Sequence, residues 1–295
     1  MHRSLPLLII IIFLTNQFSS NQAQTKSAKP VNVFDVQQNA DTIFIRPVVT
    51  FERGEFKFPY STAQGETARR RFVDKYFAPG KSYILIFGGG NAGFLKIKQG
   101  YWQDGAYAYG ELNEDEPGRI HGQLHALATD YDTTARGSAW RRSPTQPERM
   151  AAIEVAKAAY LEHNVSAKAL EALEVNNLTA IDIDGDNKAE LVGSFKVPQL
   201  DHDKISKDKP PHFLFLIAEG EGEHYKAARV NYQFNPKQTE YPLGSEMLCD
   251  NVDIDGDGIN EIVSAFTGPA FKDFYLVYQR KAGKWNQVFS SAGMQ

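Results

Sequence analysis

The sequence predicts a mostly β protein with two or three short helices. Segments that alternate apolar with polar residues, such as Thr42-Ile43-Phe44-Ile45-Arg46, recur between turn residues along most of the chain. Few segments carry apolar residues at helical spacing. The C-terminal half repeats itself, which is the mark of stacked or radially arranged units. With 42% hydrophobic and 23% charged residues over 295 positions, and 19 Phe and 13 Tyr, the chain has the composition of an ordinary globular protein with a sizeable core. Its 32 basic and 36 acidic residues leave a net charge of −4, so there is no basic excess to attract nucleic acid.

Residues 1–23 read as a signal peptide: His2 and Arg3, an apolar run over 5–14, then a polar stretch from Thr15. That run is about half of the roughly 20 residues needed to span a bilayer, so no stable membrane span is expected after cleavage near Ala23. The expected location is secreted, periplasmic or extracellular. Cys249 stands alone, which rules out an intrachain disulfide and leaves packing and bound metal to hold the fold. Met247-Leu248-Cys249 reads as the end of a buried strand, not as a catalytic thiol.

Residues 24–145 form a β-rich N-terminal half. Strands are expected between 31 and 58, over 82–87, 94–98 and 106–112, and around 120–128. One helix over 66–77 interrupts them, with Ala68, Phe72, Val73 and Tyr76 on one face and a stop before Pro79-Gly80. Residues 146–173 form a helical connector, opened by the capping box of Thr145 and Glu148, and Ser166 caps a second short helix. Residues 174–295 return to strands and contain two blade-like repeats.

The repeats begin with Asp182-Ile183-Asp184-Gly185-Asp186 and Asp253-Ile254-Asp255-Gly256-Asp257, at a spacing of 253 − 182 = 71 residues. Each continues into an acid and a hydrophobic strand, starting at Glu190 and Glu261, and then an aromatic strand. The first copy is longer because of 201–209, a charged stretch expected to be a solvated loop.

In each nine-residue loop the carboxylates fall at positions 1, 3, 5 and 9: Asp182, Asp184, Asp186 and Glu190, then Asp253, Asp255, Asp257 and Glu261. Donors packed so closely repel one another unless a hard cation sits among them, and glycine lets the backbone wrap tightly enough to bring them to one centre. Position 7, Lys188 or Ile259, offers its backbone carbonyl. All-oxygen ligation with a large, flexible donor set selects calcium over zinc, copper or magnesium. An EF-hand needs a bidentate acid at position 12, where these loops carry Gly193 and Ser264. Asn187 replaces the second copy's Gly258, a substitution that Asn tolerates because it enters the left-handed region more readily than most residues.

An acidic loop of this spacing whose position 9 leads straight into a strand resembles the FG-GAP and VCBS-type calcium repeats of integrin-like β-propellers, over 182–194 and 253–266. The resemblance implies propeller-like blades, in a partial or small propeller, with calcium bracing neighbouring strands. It also implies a non-catalytic extracellular module that binds or adheres to protein or glycan. The alternative is a secreted hydrolase with structural calcium and an active site near His121, His125 and Asp130.

Other motifs point elsewhere less well. Gly88-Gly89-Gly90-Asn91-Ala92-Gly93 matches G-x-G-x-x-G, but a strand follows it where a dinucleotide site needs a helix N-terminus, so a β-turn is expected. His121 and His125 lack the glutamate of H-E-x-x-H and lie in a strand-like context. The acidic run 111–116 lacks ligand spacing and reads as an exposed turn.

Overall fold

Alternation along the first strands sends every second side chain inward, and the N-terminal half closes around those side chains. A computed structural model describes residues 29–39, 42–114, 125–133, 139–201, 204–205, 209–234, 245–267 and 274–292. Residues 1–23 and His121, with the expectations placed on them, lie outside this set. The chain is mostly β, with three α-helices among the described residues.

Strands β1 (Val31–Asn39), β2 (Thr42–Glu52), β4 (Ser82–Phe87), β5 (Gly90–Tyr101), β6 (Tyr107–Glu114) and β7 (His125–Thr129) form an antiparallel barrel in the order β1-β7-β4-β5-β6-β2, which β1–β2 pairing closes. The short β3 (Glu55–Lys57) extends β2. Closure leaves no barrel edge unpaired, and the interior is filled by Phe34, Val36, Ile45, Leu85, Leu95 and Ile97. Gly110 keeps that interior from overfilling, since a Cβ there would lie 2.8 Å from the Ile45 side chain. Helix α1 (Gly65–Tyr76) adds Phe72 and Val73, and Phe77 follows, with the Phe72 and Phe77 rings 6.4 and 5.3 Å from that of Phe34. Among the described residues, the N-terminal strands therefore make a closed barrel and no separate four-stranded blade.

Helix α2 (Gln146–Glu162) starts at the capping box the sequence announces. The Glu148 N–H donates to Thr145 Oγ1 at 3.4 Å, and the Thr145 N–H donates to Glu148 Oε2 at 2.7 Å. In α3 (Ala167–Leu170) Ser166 caps the Ala169 N–H.

The rest of the chain makes two antiparallel meanders. The first sheet has the order β14-β13-β10-β9-β8, from β8 (Arg141–Arg142), β9 (Glu174–Ile181), β10 (Glu190–Val197), β13 (His212–Glu221) and β14 (His224–Gln233). The second runs β15 (Ser245–Val252), β16 (Glu261–Thr267), β17 (Phe274–Lys281) and β18 (Lys284–Ser290). The charged insertion between β10 and β13 corrects one expectation: it contains a small hairpin, β11 (Leu200–Asp201) with β12 (Lys204–Ile205), whose backbone pairing satisfies groups that a loop would leave to water. Cys249 lies inside β15 and not at its end.

These parts stack in layers. One face of the second sheet packs Val252, Val263, Tyr275 and Val277 on the outer barrel residues Val33, Val49 and Leu127. Its other face packs Ile262, Leu276 and Tyr278 on Ile181, Val192 and Phe215 of the first sheet, whose far face is covered by α2. Between the sheets the buried Glu246 carboxylate accepts hydrogen bonds from Ser264 (2.6 Å), Asn231 (2.7 Å) and Tyr278 (2.8 Å), so this polar group is not left unsatisfied. Among the described residues, no helix is long and apolar enough to cross a membrane.

The glycine motif forms the β4–β5 turn. Gly88 and Gly89 have φ of 68° and 79°, and their N–H groups point at one carboxylate, that of Asp250, at 2.8 and 2.9 Å. They therefore cradle an internal anion and not a pyrophosphate.

Candidate metal centre

Each acidic loop joins the first two strands of its meander: 182–189 links β9 to β10, and 253–260 links β15 to β16. The two loops share four side-chain hydrogen bonds, position for position. Position 1 accepts from the N–H of position 6: Asp182 from Asn187 at 3.0 Å, Asp253 from Gly258 at 3.1 Å. Position 3 accepts from position 5, at 3.3 Å for Asp184 and 3.1 Å for Asp255. Position 5 accepts from position 7, at 2.7 Å for Asp186 and 2.9 Å for Asp257. Position 9 reaches back to position 2, Glu190 to Ile183 at 3.1 Å and Glu261 to Ile254 at 2.7 Å. Asn187 takes φ of 68° where Gly258 takes 91°, so the change of residue type at position 6 leaves the wrap intact.

These bonds occupy one oxygen of each carboxylate, and in the second loop the Gly256 N–H donates to the other oxygen of Asp253, Oδ1, at 2.6 Å. Oxygens of Asp182, Asp184 and Asp186 lie within 4.8 Å of one another, as do those of Asp253, Asp255 and Glu261. The remaining expected ligands stand apart from these trios. Glu190 braces the neck of its loop, Asp257 sits on the exposed rim, and Lys188 extends its ammonium to Glu221 at 3.3 Å.

The donor chemistry fits a hard cation. Asp182 Oδ1 is buried with no hydrogen-bond partner, an expensive state for a carboxylate unless a cation offsets it. In the second loop burial, and then the charges of Asp255 and its neighbours, push the Glu261 carboxyl well above the ordinary carboxylate range. Burial likewise pushes Glu190 up to about 7, with Asp184 adding to the effect. A cation among these groups would restore their ionised forms.

The loops differ in what already balances them. Arg280 of β17 donates to Asp184 Oδ2 at 2.6 Å and to Glu219 at 2.7 Å, so the first loop holds a resident positive charge. In the second loop the neighbouring Gln279 donates to Asp255 at 2.7 Å and to Glu261 at 3.2 Å, and an amide brings no charge. Tyr131 of the N-terminal half donates its hydroxyl to the Asp253 carbonyl. Sequence reasoning misses Arg280, Gln279 and Tyr131, because nothing in the local spacing ties them to the loops.

Of the residues of the hydrolase alternative, the two that are described, His125 and Asp130, hold different partners. Asp130 takes the backbone and side-chain N–H groups of Asn32 at 2.8 and 2.6 Å, whereas His125 faces Asp35 at 3.0 Å and Cys249 at 3.7 Å. Burial opposes a charge on His125, but Asp35 outweighs it and raises the imidazole to about 11. Burial pushes the Cys249 thiol up to about 11, which keeps it protonated and a poor nucleophile. Glu111 pairs with Lys98 at 3.2 Å, outside any ligand cluster.

The barrel also carries an outward row of half-buried aromatic rings. Tyr107 lies between Tyr101 and Phe44, at 5.0 and 5.1 Å between centroids, and Arg46 covers Phe44. No protein-family model matches the chain, and comparison with curated proteins and with solved structures returned no match.

Proposed function

We propose that this chain is an exported, calcium-stabilised binding module of FG-GAP or VCBS type, whose two C-terminal meanders act as propeller-like blades. The observation that carries the reading is the matching hydrogen-bond pattern of the two acidic loops, each of which gathers oxygens of three carboxylates within 4.8 Å of one another. Calcium would be held by Asp253, Asp255 and Glu261, and by Asp182, Asp184 and Asp186. Asp257 and Glu190 would join as water-bridged or rearranged donors, and the carbonyls of Lys188 and Ile259 would complete the shells. Its chemistry there is to neutralise the carboxylates and brace the β-hairpins. A module of this kind acts through its surface, and the aromatic row of Tyr101, Tyr107 and Phe44 offers a face for an extracellular protein or glycan.

Affinity of the order of 10⁻⁴–10⁻³ M suits an extracellular site. It would add about 1–3 kcal/mol of stability at millimolar calcium. Calorimetric titration with calcium and with magnesium, on wild type and on Asp253→Asn, tests the metal assignment. Calcium-selective heat that is reduced in the variant supports it; silence in the wild type, with no change in Tm between EDTA and calcium, removes it. A glycan and protein array probed in calcium and in EDTA, with Tyr107→Ala as control, tests the binding role.

A further inference from the structure

We infer that Asp35, His125 and Cys249 form a second kind of metal site, for a zinc-class transition metal, between the barrel and the second C-terminal sheet. Its residues come from three strands far apart in sequence. Asp35 on β1 and His125 on β7 face outward from the barrel, alternating with the inward Phe34, Val36 and Ala126, while Cys249 on β15 points at them from the opposing sheet.

The donor atoms of all three lie within 4.8 Å of one another. Asp35 Oδ1 and Cys249 Sγ address the same imidazole nitrogen, Nδ1, at 3.0 and 3.7 Å. A nucleophilic relay needs the thiol and the carboxylate on opposite ring nitrogens, so that one orients the ring while the other exchanges a proton. Convergence on one nitrogen is instead the arrangement of ligands around a common ion: two ligands bonded at about 2.0 and 2.3 Å in a tetrahedron lie about 3.5 Å apart. A mixed oxygen, nitrogen and sulfur set selects against calcium and for zinc or its neighbours.

The surroundings supply support and access. Tyr275 and Gln37 donate to Asp35 Oδ2 at 2.8 and 2.7 Å, fixing the carboxylate so that Oδ1 faces the cluster. Beside the cluster lies a cavity of about 230 Å³, lined by His125 and Cys249 together with Phe87, Arg141 and Thr179. Three protein ligands leave a fourth position, which opens to this cavity for water or a small anion, with the Arg141 guanidinium nearby. Binding releases the thiol proton of Cys249 and the imidazole proton shared with Asp35. Two positive charges leave as two arrive, so the buried site keeps its net charge.

The site is independent of the calcium loops. Cobalt(II) titration of the full protein, stripped with chelator and held in excess calcium, tests it. One equivalent of cobalt should give a thiolate-to-metal charge-transfer band and the visible ligand-field bands of a tetrahedral site, both abolished by added zinc. Cys249→Ser should lose the charge-transfer band, and Tyr275→Phe should keep it with affinity about 10-fold weaker or more. If Cys249→Ser does not fold, the wild-type and Tyr275→Phe spectra decide. Cobalt bound by folded wild type without a thiolate band, or no cobalt bound at all, overturns the assignment.

Discussion

Asn260 donates its backbone N–H to the carbonyl of Ile183 at 3.2 Å, so the two acidic loops, 71 residues apart along the chain, touch in space. Arg280 of the second sheet also donates to Asp184 of the first loop. The loops are therefore in direct contact, and not two separate turns.

That contact predicts coupling. Asp182→Asn and Asp253→Asn should each reduce the rise in Tm that calcium produces, and the double variant should depart from their sum by about 0.5–3 kcal/mol. A double-mutant cycle in saturating calcium measures it. Additivity within about 0.3–0.5 kcal/mol would mean that the Asn260–Ile183 bond transmits nothing.

Arg280→Gln should act in two directions. Without calcium it removes hydrogen bonds of 2.6 and 2.7 Å to two carboxylates and should destabilise the protein by about 1–3 kcal/mol. With the resident charge gone, the first loop should bind calcium more tightly. Thermal melts in EDTA and calorimetric titration check the two signs separately.

Glu148 sets a pH dependence at the start of α2. The Arg142 guanidinium grips it at 2.7 Å through two nitrogens and, helped by Thr145, holds its carboxyl down to about 2 against an ordinary 4.5. Because the folded value is the lower one, this stability is complete above about pH 4.5 and is lost as pH falls toward 2. With Arg142 half exposed, its size is about 1–2 kcal/mol. Urea melts of Glu148→Gln should differ from wild type at neutral pH and converge near pH 2.

Asp250 is the bolt between the barrel and the second sheet. Its buried carboxylate takes the N–H groups of Gly88, Gly89 and Asn251 and faces Arg141 at 3.3 Å. Asp250→Ala strands these donors and should cost about 3–5 kcal/mol, and Asp250→Asn less, since one acceptor oxygen survives. Gly89→Ala should be comparably damaging, because its Cβ would stand 2.0 Å from the Ala139 carbonyl oxygen at a φ of 79°. Chemical denaturation of the three variants gives the order.

The strands, α1 and the capped α2 are legible in the sequence because their causes are local: alternation, helical spacing, and a Thr and a Glu three residues apart. The acidic loops are legible for the same reason, since positions 1 and 6, 3 and 5, 5 and 7, and 2 and 9 are hydrogen-bonded within a nine-residue wrap. Barrel closure is not, because the β1–β2 and β1–β7 pairings have the same local pattern as any other antiparallel pairs and only the whole sheet determines which edges meet. The reading of Cys249 as a plain buried residue holds for its burial but misses its neighbours.

By itself, then, the sequence determined a β-rich chain with a duplicated acidic loop, its carboxylates at matching positions, and the helices that punctuate the strands. Only the tertiary structure decided that the loops abut, that Arg280 and Gln279 balance them unequally, and that Asp35, His125 and Cys249 converge. Short-range hydrogen bonds act between near neighbours and leave a readable spacing. Contacts between packed faces join residues up to 240 positions apart, as Tyr275 joins Asp35, and leave none.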